Sequence, residues 1–234
     1  MGGSFGGMNR VARHTLLIGV LVAGIAAAHA SAEPAGPARF KLSIVGTAHA
    51  EWDHTGLPAP SGDCQRTIRS EGLRNARFRT TKPTVVRVVG GRVQAGTIRV
   101  LTGTVVLSGA NTVSDVCGVD RTQAIQDCAT TKRSFRGATI GVLSTRAGSV
   151  TFRPVRSLRL RTSTCPQEPA EVVRASLGPI PGPLRISTAA LANPRVAHIT
   201  LTASASRRVV YGPVERGTLE HRSAWKVTFE RVRP

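Results

Sequence analysis

From Phe40 to Asp53 the chain alternates almost without a break. Phe40, Leu42, Ile44, Gly46, Ala48, Ala50 and Trp52 fall on one side, and Lys41, Ser43, Val45, Thr47, His49, Glu51 and Asp53 on the other. A period of two sustained over fourteen residues describes a strand with one buried and one wet face. The chain closes on the same pattern, with Trp225, Val227 and Phe229 opposed to Lys226, Thr228 and Glu230. The first and last elements are therefore expected to be core strands.

Between them, further β-branched or alternating runs predict strands over 76–79, 84–89, 97–107, 134–143, 149–160, 184–187 and 198–205. Turn signals stand at Gly90-Gly91, Gly109-Ala110-Asn111, Ala147-Gly148, Asn193-Pro194 and Gly212-Pro213. Pro154 removes a ladder donor, so its run belongs at a sheet edge or carries a bulge. Only Pro169 to Ala175 reads even weakly as helix. Thr55 to Asp63 and Cys165 to Pro183 are rich in proline and glycine and read as loops. Many short strands with this punctuation predict an all-β protein, an antiparallel sandwich of immunoglobulin-like or jelly-roll-like kind. The second loop is the one credible boundary. The residues beyond it make too few strands for a core of their own, so a single sandwich domain is expected over 39–234, with 33–38 as a short linker.

The N-terminus has a different character. Arg10, Arg13 and His14 precede an uncharged run from Leu16 to Ala28, and small residues come next, which is the order of a secretory signal peptide. The run is shorter than the roughly 20 residues that cross a bilayer core. Ala28-His29-Ala30 and Ala30-Ser31-Ala32 both offer cleavage sites, and the second is preferred, giving a signal over 1–32. An uncleaved signal acting as a tether is the alternative, and Met8 is a second candidate start. No cysteine precedes Cys64 to carry a lipid anchor, and no later stretch is long and apolar enough for a membrane helix. The expected product is secreted or associated with the cell envelope, without a stable membrane span.

Four cysteines, Cys64, Cys117, Cys128 and Cys165, all lie in the part expected to be exported, where disulfides persist. Two bridges staple the sandwich in this reading. Three pairings are possible. Gly118-Val119-Asp120 looks like a tight loop, which favours Cys117 with Cys128 and leaves Cys64 with Cys165, worth roughly 3 and 5 kcal/mol in the chain-entropy model. The spacing contains no C-x-x-C and does not suit zinc.

The formal charge is +19, and losing Arg10 and Arg13 with the signal lowers it by two. Such a charge points to anionic partners through counterion release and steering. Only four of the 32 basic residues are lysines (Lys41, Lys82, Lys132, Lys226), in a chain crowded with Ala, Gly, Val and Pro. That composition is also the footprint of GC-rich codons. The basic residues are spread along the chain rather than gathered in one tract. Arg153, Arg159 and Arg161 share a parity along one run, and Lys226 faces outward on the last strand, so these four are the candidate anion-binding residues. Few aromatics remain outside the expected core, which argues against a nucleic-acid stacking platform.

No catalytic, metal or cofactor constellation stands out, and no cofactor is expected. His49, Glu51 and Asp53 share the outward face of their strand, where they make a weak cation candidate, while Trp52 and His54 point the other way. Three polar residues at period two are also what any wet strand face shows. Gly2-Gly3-Ser4-Phe5-Gly6 matches the nucleophile-elbow pattern but lies ahead of the signal's apolar run. Neither histidines nor paired carboxylates fall at a spacing that marks an acid and a base.

Trp52-Asp53-His54-Thr55, the turn into Cys64, Ala76-Arg77-Phe78, Asp127-Cys128, Ser134-Phe135-Arg136-Gly137 and Cys165-Pro166 together resemble a set of exported, β-rich bacterial proteins with four cysteines. The resemblance spans most of the mature chain. It implies a shared exported β fold and carries over no catalytic residue. The expected function is non-enzymatic binding of an anionic envelope or extracellular polymer or surface. The rival expectation is a secreted hydrolase whose site is built from separated loops, with His49, Asp53 or His54 near it. Oligomeric state is not legible.

Overall fold

The computed structural model describes residues 38–232, except 91, 95–96, 101, 137, 147, 155–158 and 162–164. The signal peptide expected over 1–32, its cleavage sites, the Gly2–Gly6 pattern and all but the end of the 33–38 linker lie outside the described residues.

Strand β1 (Ala38–Thr55) extends the alternating run at both ends and buries its even-numbered side chains down to Trp52. Its partner β13 (Arg216–Arg231) runs antiparallel along nearly its whole length, from Phe40 opposite Arg231 to Thr55 opposite Arg216. These two long strands form the middle of a large sheet ordered β12 (His198–Val210), β13, β1, β3 (Cys64–Arg79), β7 (Thr102–Cys117) and β8 (Asp120–Phe135). Three smaller strands join it: β2 (Ala59–Ser61) pairs with the start of β3, β4 (Thr84–Val89) pairs with β1 beyond the end of β3, and β5 (Arg92–Gln94) pairs with β4. A second sheet is ordered β11 (Leu184–Ser187), β10 (Ser149–Pro154), β9 (Ala138–Arg146) and β6 (Thr97–Val100). Every pairing is antiparallel. The fold is the expected antiparallel sandwich, with two facing sheets that do not close into a barrel.

The small sheet covers only part of the large sheet's inner face. Under it, Phe40, Leu42 and Ile44 of β1, Phe78 of β3, Val105 of β7 and Trp225, Val227 and Phe229 of β13 pack with Leu143, Val150, Phe152 and Ile186 of the small sheet. Full burial of each large side chain contributes about 2–3 kcal/mol. Glycines in the strands make room for the rings: Phe78 lies over Gly46, Trp52 over Gly72, Phe135 over Gly103 and Phe152 over Gly141, each ring occupying the space a Cβ would need. Further along the same face, Ala50, Trp52, Leu107 and Leu219 form a second cluster with Val172. Val172 belongs to α1 (Ala170–Arg174), inside a strap of irregular chain over 165–180 that serves as a second lid. The remaining helix, α2 (Thr188–Ala192), is capped by the Ser187 hydroxyl, which accepts from Ala190 N.

Several expectations are corrected. The bridges are Cys64–Cys117 and Cys128–Cys165, with Cα separations of 4.2 and 5.5 Å. The Gly118–Val119 turn exists, with Gly118 at φ +64°, but it joins two long strands. Cys117 lies beside the turn opposite Asp120, whereas Cys128 is eight residues along β8, opposite Gly109. At strand rise that is about 27 Å, far beyond the reach of a disulfide. The register of β3 on β7 instead carries Cys64 to Cys117.

Gly109-Ala110-Asn111 is not a turn. Gly109 sits at φ +149° where the β7–β8 register shifts, and a Cβ there would strike the backbone of Glu71 and Gly72. It is a bulge glycine inside a strand. The run over 134–143 divides into the end of β8 and the start of β9. Part of the loop expected over 55–63 is β2. Of the run over 149–160, β10 takes Ser149–Pro154 while 155–158 lie outside the described residues, and β10 lies between β9 and β11 rather than at an edge, the proline being its last residue.

Candidate functional site

The outer face of the large sheet is built by the odd-numbered residues of β1 and their cross-strand partners. Three successive rows can be followed across it. Thr202, Lys226, Val45, Arg79 and Thr102 form one; Ser204, Ala224, Thr47, Arg77, Thr104 and Ser134 the next; Ser206, Arg222, His49, Asn75, Val106 and Lys132 the third. These rows contain five basic side chains and no carboxylate. Strands about 4.8 Å apart and rows about 7 Å apart place each cation within roughly 12 Å of another. That is about one Debye length at moderate salt, so their fields add.

The carboxylates begin one row further along and are largely engaged. Glu220 accepts from Arg222 at 2.5 Å. Asp53 takes both arms of Arg69 at 2.8 and 2.7 Å, and that hydrogen-bonded guanidinium holds its pKa below the usual carboxylate value. Among the described residues Arg77, Arg79, Lys132 and Lys226 form no ion pair. Phe40, Trp52, Phe78, Phe135, Phe152, Trp225 and Phe229 are buried on the inner side, so none is offered to a stacking base.

The four residues singled out from sequence are not brought together. Lys226 belongs to the band just described. Arg153 is exposed on β10 next to buried Phe152, hence on the small sheet's outer face, on the opposite side of the sandwich. Arg159 and Arg161 are exposed but lie past the end of β10, so their shared parity with Arg153 has no strand to act through. The Arg161 carbonyl accepts from Arg133 Nη1 at 2.7 Å.

The His49–His54 segment also separates into distinct roles. His49 Nδ1 lies 2.9 Å from Asn75 Oδ1, and its Nε2 lies 3.9 Å from Glu51. His54 turns inward, its ring 4.3 Å from that of Tyr211 and its Nε2 3.8 Å from Glu215. With Asp53 held by Arg69, the cation reading loses one of its two carboxylates, and no group of three ligating side chains is found among the described residues. Neither histidine meets a serine among those residues.

Beneath the strap lies a polar cluster that sequence reasoning misses. Arg74 of β3 points inward and its Nη1 donates to Glu168 Oε1 at 2.5 Å, both side chains being almost wholly buried. Asn111 Oδ1 accepts from Gln167 N, the Tyr211 hydroxyl donates to Glu171, and Ser223 Oγ donates to the Pro179 carbonyl. Burial, and then Glu171, push the Tyr211 phenol pKa up. His221, across β1 from Arg74, is pushed down to about 4, first by burial and then by Arg74, Arg207 and His49, so it is neutral at pH 7. A signal for Arg74 is present in the sequence: it shares parity with Ala76 and Phe78. It lies outside the four-residue run whose alternation marks a strand.

Among the described residues no helix is long and apolar enough to cross a membrane. No protein-family model matches the chain, and no curated protein and no solved structure shows significant similarity to it.

Proposed function

We propose that the chain is an exported, non-enzymatic β-sandwich, with residues 39–234 forming one domain, that binds an anionic polymer or surface of the cell envelope through the outer face of its large sheet. The observation that carries this reading is the carboxylate-free band containing Arg77, Arg79, Lys132 and Lys226, none of which forms an ion pair among the described residues. An extended anion lying across a flat sheet meets these cations in turn, and each contact releases a counterion. Serine, threonine and alanine between them leave the surface open to close approach. Two disulfides suit an oxidising compartment.

The test is retention of the purified, oxidised protein on envelope fractions and on defined polyanions between about 50 and 500 mM salt. Retention that falls steeply with salt, and is lost in Arg77→Gln/Arg79→Gln/Lys226→Gln while Arg153→Gln leaves it unchanged, is the expected result. No retention at the lowest salt, or equal loss in both variants, overturns the reading.

A further inference from the structure

Arg74 is 2% exposed, and its guanidinium is only half used. Nη1 donates to Glu168, but Nε and Nη2, the edge that presents two parallel N–H donors, meet no partner among the described residues. Buried polar groups are nearly always satisfied, so an orphaned pair of buried donors marks a missing partner. A guanidinium can only donate, which excludes a cation. The Nε/Nη2 edge matches two oxygens of a carboxylate or phosphate group.

The surroundings favour negative charge as well. Arg207 of β12, His221 of β13, Ala50 of β1 and Arg74 of β3 stand in one row, exposed at Arg207 and buried at the other three, with the small Ala50 between the histidine and the arginine. Glu168 of the strap pairs with Arg74, and Arg207 adds positive charge from the exposed end of the row, where Glu171 and Glu215 act on the neighbouring Tyr211. The strap closes the row through Cys128–Cys165, Gln167, Glu168 and Glu171. A long polymer has no course under it.

We propose that this row is an internal site for a small oxyanion, a free carboxylate or phosphate group, held bidentately by Arg74 Nε and Nη2 with His221 across Ala50. The site is on the opposite face of the sheet from the cationic band and does not depend on it. His221 reports on it directly, because its titration is set by burial and by Arg74, Arg207 and His49, with Glu168 on Arg74 as the nearby acid. An added anion opposes the arginines and raises the His221 pKa.

The experiment uses the oxidised full chain, titrated separately with inorganic phosphate and with acetate against sodium chloride at equal ionic strength. The readouts are the His221 pKa by NMR and the thermal midpoint. Either oxyanion is expected to raise the pKa by about one unit or more and to raise the midpoint saturably. A response to acetate alone identifies a carboxylate site, and to phosphate alone a phosphate site. Arg74→Lys, a point charge without the fork, is expected to lose the response. So is Ala50→Val, which leaves the Arg74–Glu168 pair in place, while Arg77→Gln/Arg79→Gln retains it. The wild-type titration stands even where a variant fails to fold. No response of wild type beyond that to chloride means that only water satisfies Arg74, and overturns the proposal, as does an undiminished response in Ala50→Val.

Discussion

The large sheet presents one inner face to two different lids. Under the small sheet the contact is almost entirely apolar, with rings seated over glycines and Phe78 packed edge-on against Trp225 at 4.7 Å. Under the strap the same strands present Arg74, Asn111, His221, Ser223 and the indole of Trp52, whose Nε1 donates to Ser70. A sheet satisfies its own backbone and needs only an apolar surface to rest on. Irregular chain such as the strap brings unpaired carbonyls and amides, which must find partners on the surface it covers. The polar row is thus the counterpart of the strap's lack of regular structure.

The contrast yields mutations of graded effect. In the apolar half, Phe229→Ala is expected to cost about 3–5 kcal/mol with little pH dependence, measured by denaturant unfolding. In the polar half, Glu168→Ala is expected to approach the same loss by stranding a buried guanidinium, whereas Arg74→Met/Glu168→Met recovers most of it. Equal losses in the single and double variants would show that the strap depends on the ion pair itself rather than on avoiding an unpaired charge.

Removal of Cys128–Cys165 by paired serine substitution releases a loop spanning 37 residues and costs about 4 kcal/mol in the chain-entropy model. Amide exchange should rise first in the strap and not in the small sheet. His221 supplies a smaller, pH-dependent effect. With its folded pKa depressed from 6.5 to about 4, the unfolded chain binds the extra proton between those values. Stability is full above pH 6.5 and falls by about 3 kcal/mol on acidification to pH 4, and His221→Leu flattens that slope. Smallest of all, Arg77→Gln/Arg79→Gln on the outer face is expected to change stability by less than about 0.5 kcal/mol while removing polyanion retention.

The apolar half is legible in the sequence and the polar half nearly invisible, for the same physical reason. Phe40 to Trp52 and Trp225 to Phe229 announce a buried face because burial there is apolar and periodic. From Ser70 to Arg74 the inward positions are Ser, Gly and Arg, which read as wet until the strap is seen above them. Strand β8 escapes sequence reasoning because most of its side chains are exposed, so no hydrophobic period marks it. Within the outer band only Lys226 is identified from sequence. Arg77 and Arg79 lie in a run that reads as strand, but their neighbourhood depends on pairing with β1 and β7, which a linear pattern does not encode. The expected disulfide pairing fails because closeness along the chain is not closeness in space.

The long terminal strand β8 also bears on how copies of this protein meet one another. Its outer rim offers unpaired backbone groups to any passing strand, yet Arg121, Asp127, Lys132 and Arg133 are set along it and a bulge interrupts its ladder. Charge and irregularity of this kind discourage edge-to-edge growth. The opposite rim, β12, has no charged residue from Ile199 to Ser206. Where copies crowd together, strand-to-strand fibre growth is opposed on one flank and only weakly on the other.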